Sequence, residues 1–337
     1  MGYRIQHDID RFEKNEAFLN DLPEYVVAWY ENLKANNLTS SSCEDYLRKI
    51  KHFLSYICSD VKSIQANDLT LAITQKYMIS IQTRVKDGKR IATSDSYKQC
   101  IWASLNNFYS FLLQQGIVES NPMEYIKRSK NRDLDKINKS RKLLTAIDFQ
   151  KILAETNRTF CNRASGIDFS IRDRCILLFF MSTGMRKTAL TEIDIDDIDI
   201  ANSIITIVDK GQKIQTYYLS DEIKQCLDMW LINRERILLA NNKQSDALFI
   251  TSNGERITDA AIYKMVRRYS TDALGYAISP HKLRSGFCSI MYDHTHDIEA
   301  VRRIVGHSNV ATTQRYIVTK GEERKSASEY MGHILNT

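Results

Sequence analysis

Six residues in the second half of the chain carry side chains that could act together on a phosphodiester. In chain order they are Arg186, Lys210, His281, Arg284, His307 and Tyr316. A phenol can be a nucleophile, imidazole and ammonium groups can carry protons, and guanidinium groups can meet charge that develops on phosphate oxygens. Together these side chains could cleave a phosphodiester without a metal ion.

The phenol and the guanidinium groups set physical requirements for such a reaction. A tyrosine pKa near 10 leaves only about one phenol in a thousand ionised at neutral pH, so Tyr316 needs activation. Each arginine could donate parallel hydrogen bonds to two phosphate oxygens, a contact that typically lowers a barrier by roughly 3–4 kcal/mol. His281 and Arg284 are three residues apart on a helix predicted after Ser279-Pro280. That helix could present both side chains to one phosphate.

Lys210 lies at the predicted turn of a β-hairpin. The β-branched run 204–208 predicts one strand, Gly211-Gln212 predicts the turn, and 213–219 predicts the return strand. An ammonium group on a tight turn could reach a departing oxygen and give it a proton. Lys213 lies across the same turn and is the local alternative.

The motifs around these residues resemble, in order and spacing, those of the tyrosine recombinase (phage integrase) family with a two-domain, Xer-like layout. They are Thr183-Gly184-Met185-Arg186, Asp209-Lys210-Gly211, His281-Lys282-Leu283-Arg284, Gly306-His307-Ser308 and Gln314-Arg315-Tyr316. The resemblance extends from about residue 22 to the end of the chain. It depends on the combination, because an HxxR pair alone occurs by chance in many proteins.

The resemblance implies a role for each of the six residues. Tyr316 would attack the scissile phosphorus and form a 3′-phosphotyrosyl link. Lys210 would be the general acid, and His281 would assist proton transfer from the tyrosine. Arg186 and Arg284 would bind the phosphate. His307 would hydrogen-bond the phosphate or position the nucleophile. Neither a metal ion nor another cofactor is expected.

One position departs from the family pattern. Three residues after the first arginine the family usually has a glutamate, and this chain has Ala189. The change removes no catalytic group, but it leaves open how Arg186 is oriented. Glu192 and Asp194 are the candidate substitutes.

Apolar periodicity and the resemblance together predict a mainly α-helical protein with two domains. An N-terminal extension (1–21) precedes a four-helix, SAM-like core-binding domain (22–125) and a basic linker (126–142). A catalytic domain rich in helices, with a small antiparallel β-sheet, occupies 143–318, and a tail occupies 319–337. The tail has an amphipathic pattern. By resemblance it would dock on a neighbouring subunit, and packing on its own catalytic domain is the alternative.

Positive charge is concentrated in two segments. Residues 127–142 hold eight basic and two acidic residues, which matches the formal charge of +6 for the whole chain. A second basic segment, predicted as a loop, covers 84–90. The candidate DNA contacts are Arg84, Lys86, Lys89, Arg90, Lys127, Arg128, Lys130, Lys139, Arg141 and Lys142. A basic connector suits a DNA backbone, and a solvated linker is the alternative.

Other features predict a cytoplasmic protein. The sequence has no run of 18 apolar residues and no apolar signal core at its N-terminus. Its seven cysteines are scattered, odd in number and never arranged as CxxC, which argues against a disulfide framework or a zinc site.

Together these expectations predict a site-specific DNA recombinase that integrates, excises or resolves a DNA element, such as a mobile element. By resemblance it would act as a homotetramer on two DNA sites with inverted half-sites. Accessory proteins that bend DNA or set directionality are further candidate partners. A type IB topoisomerase and a catalytically silent DNA-binding relative are the alternatives.

Overall fold

The computed structural model of the protein describes residues 3–129, 143–160, 169–209 and 213–306. The chain divides into two compact units, Met1–Leu134 and Asp135–Thr337. The division falls inside the predicted basic linker, 126–142. Each unit has its own hydrophobic core.

The first unit is mainly helical. Its helices are α1 (Tyr3–Leu19), α2 (Glu24–Ala35), α3 (Ser40–Ile57), α4 (Leu71–Ser80) and α5 (Asp95–Gln114). Thr39, Thr70 and Ser94 begin α3, α4 and α5, because each side chain accepts a hydrogen bond from a backbone N–H three residues later. In the core, the Trp29 ring meets the Phe108 ring edge-on, with 5.1 Å between centroids. Helices α2 to α5 lie within residues 22–125, for which the sequence predicted four helices.

Helix α1 occupies the segment that the sequence assigned to an extension. The Asn15 side-chain amide donates a hydrogen bond of 3.1 Å to the Ser40 carbonyl. Glu16 pairs with Lys34 at 2.8 Å, and the Lys51 ammonium lies 4.2 Å from the Phe18 ring centroid. These contacts hold α1 against α2 and α3, so residues 3–19 are part of the first unit.

The basic segment 84–90 is a β-hairpin, and its prediction as a loop was wrong. Strand β1 (Thr83–Lys86) pairs antiparallel with β2 (Lys89–Ala92). Asp87 and Gly88 connect them with φ angles of 50° and 73°. Two successive positive φ values are typical of a type I′ turn, which Asp-Gly favours.

The second unit combines seven helices of the described chain with a three-stranded sheet. The helices are α6 (Ala146–Phe160), α7 (Ser170–Thr183), α8 (Lys187–Thr191), α9 (Asp221–Asn241), α10 (Asp259–Leu274), α11 (Pro280–Thr295) and α12 (Ile298–Val305). Helix α7 is buried on nearly all sides, with an apolar run at 175–181. It therefore forms the centre of this unit's core.

The sheet confirms the two strands predicted around Lys210. Strands β3 (Ile198–Asp199), β4 (Ile204–Asp209) and β5 (Lys213–Tyr218) are antiparallel and lie in that order. Ile205, Ile207 and Tyr217 are buried, whereas Tyr218 is 78% exposed. This alternation is expected when one face of a sheet covers a core. The protein is thus mainly α with small antiparallel sheets, as predicted.

Candidate active site

Three of the six predicted catalytic residues lie in the described part of the chain. They are Arg186, His281 and Arg284, whereas Lys210, His307 and Tyr316 lie outside the described residues. Of the candidate DNA contacts, Lys130, Lys139, Arg141 and Lys142 also lie outside them.

A sharp turn after α7 positions Arg186. Gly184 ends the helix with φ at 62°, and its N–H donates to the Phe180 carbonyl at 3.1 Å. The Thr183 hydroxyl accepts from the Met185 N–H at 3.2 Å. Arg186 then takes an extended conformation as the cap before α8. Because Thr183 and Met185 are buried, the turn is fixed in the core while Arg186 is only half-buried.

Gly184 is required at this turn for two reasons. Its positive φ is unfavourable for other residues. A Cβ at this position would lie 2.4 Å from Cδ1 of Phe287 on α11. The glycine of the Thr-Gly-Met-Arg motif thus permits a close approach between α7 and α11.

Arg284 is buried between the ends of two helices. It lies on α11, which begins after Ser279 with Pro280 in its first turn, and is only 3% exposed. Its guanidinium donates to the Gly184 carbonyl at 2.5 Å and to the Val305 carbonyl at 2.6 Å. These carbonyls lie at the C-terminal ends of α7 and α12, where helix dipoles favour a cation. The two hydrogen bonds and the two helix dipoles therefore stabilise the buried positive charge of Arg284.

The two arginines meet at the end of α12. Arg186 donates to the Gly306 carbonyl at 3.2 Å, next to the Val305 carbonyl that Arg284 binds. Gly306 ends α12 with φ at 66°. His307 follows Gly306 directly in the sequence. Arg186, 120 positions before Gly306, and Arg284, 21 positions before Val305, therefore converge on one turn.

Strand β5 contacts the same turn. The Gln215 amide donates to the Ile304 carbonyl at 3.4 Å. A Cβ on Gly306 would lie 2.5 Å from the Gln215 Oε1 atom. This hydrogen bond joins β5 to the end of α12. Strands β4 and β5 flank the position of Lys210 in the sequence. Sequence reasoning missed Gln215, since a polar residue in an alternating strand gives no signal of this contact.

His281 occupies an exposed position near the start of α11. Its carbonyl accepts from the Ser285 hydroxyl at 2.9 Å. On the same helix, burial raises the pKa of the Cys288 thiol to about 11. The thiol is therefore neutral at physiological pH and adds no negative charge near Arg284.

The position where the family usually has glutamate is packed in the core. Ala189 is fully buried on α8. Of the two candidate substitutes, Asp194 accepts a hydrogen bond from Arg256, which also donates to the Thr191 carbonyl at 3.0 Å. Arg256, in the segment before α10, thus links that segment both to the end of α8 and to Asp194.

The described DNA-contact candidates are on the surface of the first unit. Arg84, Lys89 and Arg90 are exposed on the β1–β2 hairpin, and Lys127 and Arg128 are exposed beyond α5. The Arg128 guanidinium lies 5.8 Å from the Trp102 ring centroid on α5.

Among the described residues, no three His, Cys, Asp or Glu side chains are grouped so that they could hold a metal ion. None of the helices in the described ranges is long and apolar enough to cross a membrane.

Comparison with known proteins identifies one family. The sequence model of the phage integrase family matches residues 142–323, more than half of the chain. Tyrosine recombinase XerC of Pseudomonas savastanoi pv. phaseolicola is 24% identical over 299 residues, covering 88% of this chain and 91% of the relative. Tyrosine recombinase XerC of Vibrio cholerae serotype O1 is 29% identical over 242 residues, covering 70% and 71%.

Solved structures share the fold. XerH recombinase bound to difH in a pre-cleavage complex has a TM-score of 0.62 at 21% identity, covering 88% of this chain and 80% of that one. The Tn1549 transposon integrase in complex with transposon right end DNA has a TM-score of 0.61 at 15% identity, covering 90% and 98%.

Proposed function

Because the chain belongs to the phage integrase family, a family of tyrosine site-specific recombinases, we propose that it cleaves and rejoins DNA through a 3′-phosphotyrosyl intermediate. The observation that supports this most directly is the convergence of Arg186 and Arg284 on the carbonyls that end α12. Backbone carbonyls of the protein itself hold the two guanidinium groups in place. Preorganised donors of this kind stabilise charge that develops in a transition state.

In the proposed cleavage step, the Tyr316 phenol attacks the scissile phosphorus. A bond forms between the phenolic oxygen and phosphorus, the bond to the 5′ oxygen breaks, and the phenolic proton passes to a base. Arg186 and Arg284 bind the non-bridging oxygens, and His281 assists proton transfer. Rejoining reverses these steps, since the phosphotyrosyl link conserves the energy of the broken bond.

The departing 5′ oxygen needs a proton, for which we propose Lys210. The β4–β5 hairpin supports this assignment, because Gln215 joins β5 to the end of α12. Lys213 is the alternative donor. We propose that His307 either donates a hydrogen bond to the phosphate or positions Tyr316, since it follows Gly306 directly in the sequence.

We propose duplex DNA with inverted half-sites as the substrate and a homotetramer on two sites as the active assembly. Lambda integrase has been solved as a tetramer bound to a Holliday junction, and its fold matches this chain with a TM-score of 0.60. In this proposal residues 22–125 form the core-binding domain, 126–142 the basic linker and 143–318 the catalytic domain. Proteins that bend DNA or set directionality are proposed accessory partners.

A nicked suicide substrate tests the chemistry. Duplexes taken from the DNA that flanks the gene, nicked beside each trial cleavage position, should trap the protein on a 3′ phosphate. Tyr316→Phe should bind the same duplex without forming the adduct. Tyr218→Phe is the matched control, since Tyr218 is 78% exposed in the second unit, and it should form the adduct normally.

The outcomes separate the candidate functions. An adduct with Tyr316→Phe would show that another residue is the nucleophile. Binding without an adduct by the unaltered chain would favour a catalytically silent relative. Relaxation of supercoiled DNA by a monomer, with no strand exchange between two sites, would favour the topoisomerase.

A further inference from the structure

We propose that the β1–β2 hairpin enters the major groove of each half-site and contacts base edges, with Val85 and Arg90 as the contacting residues. The proposal rests on the proposed function, since it requires DNA as the substrate. It adds a sequence-specific contact made by the first unit. Four observations support it: the rigidity of the hairpin, its charge, its two faces and its size.

The hairpin is rigid and fixed at its base. The Asp87-Gly88 turn has the φ angles of a type I′ turn, which matches the twist of paired strands. The Thr93 N–H closes the base with a hydrogen bond of 2.9 Å to the Gln82 carbonyl. The Gln82 side chain donates to the Met78 carbonyl on α4 at 2.9 Å and accepts from Lys98 on α5 at 3.3 Å. The base of the hairpin is therefore attached to α4 and α5, so that less conformational freedom is lost on binding.

The charge of the hairpin suits a polyanion. Asp87 is the one acidic residue between Ile81 and Ser94, and the Asp-Gly turn explains its presence. No ion pair within the described ranges joins Arg84, Lys89 or Arg90 to a carboxylate. The segment therefore carries a net positive charge, which attracts phosphate groups.

Strand register gives the hairpin two different faces. Val85 is opposite Arg90 and Thr83 is opposite Ala92, so these four residues share one face, and all four are exposed. Val85 is 72% exposed. This face offers methyl groups and one guanidinium. Methyl groups can contact the thymine methyl, and an arginine can bind the O6 and N7 atoms of guanine.

The other face and the edges suit the DNA backbone. Arg84 is opposite Ile91, which is half-buried, so this face turns toward the body of the unit at its base. Arg84 and Lys89 are exposed. They could meet phosphates on either side of a groove while the Val85 face is directed to the bases.

The size of the hairpin fits the major groove. Each strand has 4 residues, and at roughly 3.4 Å per residue a strand of that length extends about 14 Å. The major groove is about 12 Å wide and about 8.5 Å deep and admits a two-stranded ribbon, whereas the minor groove is only about 6 Å wide. The tip could thus reach the base edges while the base of the hairpin stays at the level of the phosphates.

Selection from a randomised half-site tests base contact directly. The full chain, Arg90→Ala and Val85→Ala are each used to select sites, and affinities for the selected and singly changed sites are measured. Arg90→Ala should lose its preference for guanine at one position, with an affinity loss of about 5- to 150-fold there. Val85→Ala should lose a preference for thymine at a neighbouring position. Preferences elsewhere in the half-site should be unchanged.

Two variants serve as controls. Lys14→Ala removes an exposed cation on α1 and should leave every base preference unchanged. Asp87→Asn keeps a type I′ turn, because Asn-Gly is equally suited to it, and should leave the hairpin folded. The altered side chains are exposed, so the hairpin variants should unfold at the same temperature as the unaltered chain.

The results would overturn the proposal in distinguishable ways. An equal loss of affinity for all sequences would show that the hairpin contacts only phosphates. Unchanged DNA binding with a changed oligomeric state would show a protein contact instead. Trapping of the unaltered chain on a suicide substrate, with hairpin variants that keep every base preference, would disprove the hairpin proposal and leave the proposed function intact.

Discussion

At the scale of single residues, Arg284 has a structural task as well as its proposed catalytic one. A buried charge is costly unless it is paired and hydrogen-bonded. The Gly184 and Val305 carbonyls provide hydrogen bonds, and the C-terminal ends of α7 and α12 provide negative dipole ends. The same guanidinium therefore joins the Thr-Gly-Met-Arg turn to the turn that precedes His307.

The Gly184 turn gives a prediction at this scale. Gly184→Ala should lower the free energy of unfolding more than Gly275→Ala. Both glycines have positive φ, which costs about 1–2 kcal/mol for alanine. A Cβ at Gly275 has no atom within 4 Å, whereas one at Gly184 meets Phe287 at 2.4 Å. Overpacking should add about 1–3 kcal/mol. Urea denaturation measures the difference.

The double variant Gly184→Ala/Phe287→Leu should recover part of the stability, because a smaller side chain makes room for the Cβ. Gly184→Ala should also slow adduct formation, since the Gly184 carbonyl binds Arg284. Equal destabilisation by the two single variants would show that the contact with Phe287 relaxes without cost.

At the scale of elements, α12 determines where the proposed site is assembled. The helix has only 8 residues, and its last carbonyls bind both arginines. Asp297 caps its start by accepting from the Glu299 and Ala300 N–H groups at 2.8 and 2.9 Å. A short helix is marginal without such a cap.

Asp297→Ala should therefore cost about 1 kcal/mol and slow adduct formation on a suicide substrate. Ser220→Ala removes the equivalent cap from α9, which has 21 residues, and should change the rate little. Asp297→Asn retains a capping acceptor and should restore the rate. If Ser220→Ala slows the reaction as much as Asp297→Ala, stability rather than the position of α12 limits the rate.

The elements also show how much of the structure the sequence could predict. Strands β4 and β5 were predictable because a run of β-branched residues, 204–208, precedes the predicted Gly-Gln turn. The β1–β2 hairpin carries similar information, since β-branched residues alternate with basic ones around Asp87-Gly88. The high density of basic residues in that segment led instead to the prediction of a loop. Helix α1 was missed because its contacts, such as that of Asn15 with Ser40, join residues 25 positions apart.

The site itself was predictable only in part. Motif spacing predicted Arg186, His281 and Arg284 as site residues, but it could not show that both guanidinium groups bind the end of α12. That arrangement depends on tertiary packing between α7, α11 and α12. Gln215 and Phe287 belong to no motif, so their contacts with the glycine turns could be found only in three dimensions.

At the scale of the whole molecule, positive charge lies where the first unit ends. The Trp102 indole N–H donates to the Ile126 carbonyl at 2.7 Å, and Arg128 lies over the same ring. Gln99 donates to the Ser129 carbonyl at 2.6 Å. The first residues of the predicted basic linker, 126–129, are therefore held along α5, with the Arg128 guanidinium near the Trp102 ring.

If Lys127 and Arg128 each contact a phosphate, the double variant Lys127→Gln/Arg128→Gln should bind all DNA sequences more weakly. Each lost contact should reduce the slope of log affinity against log salt by about 0.9, or about 1.8 for the pair. Fluorescence anisotropy on a single half-site between about 50 and 200 mM salt covers the range where such slopes are measured.

Lys14→Gln/Arg48→Gln removes the same charge from α1 and α3 and should leave the slope unchanged. Arg48 already pairs with Glu44 at 2.5 Å, so its charge is largely compensated. A slope that falls equally for both pairs would mean that net charge alone governs binding. An unchanged slope for the linker pair would show that the start of the linker is a solvated connector, because counterion release follows phosphate contacts and not charge at a distance.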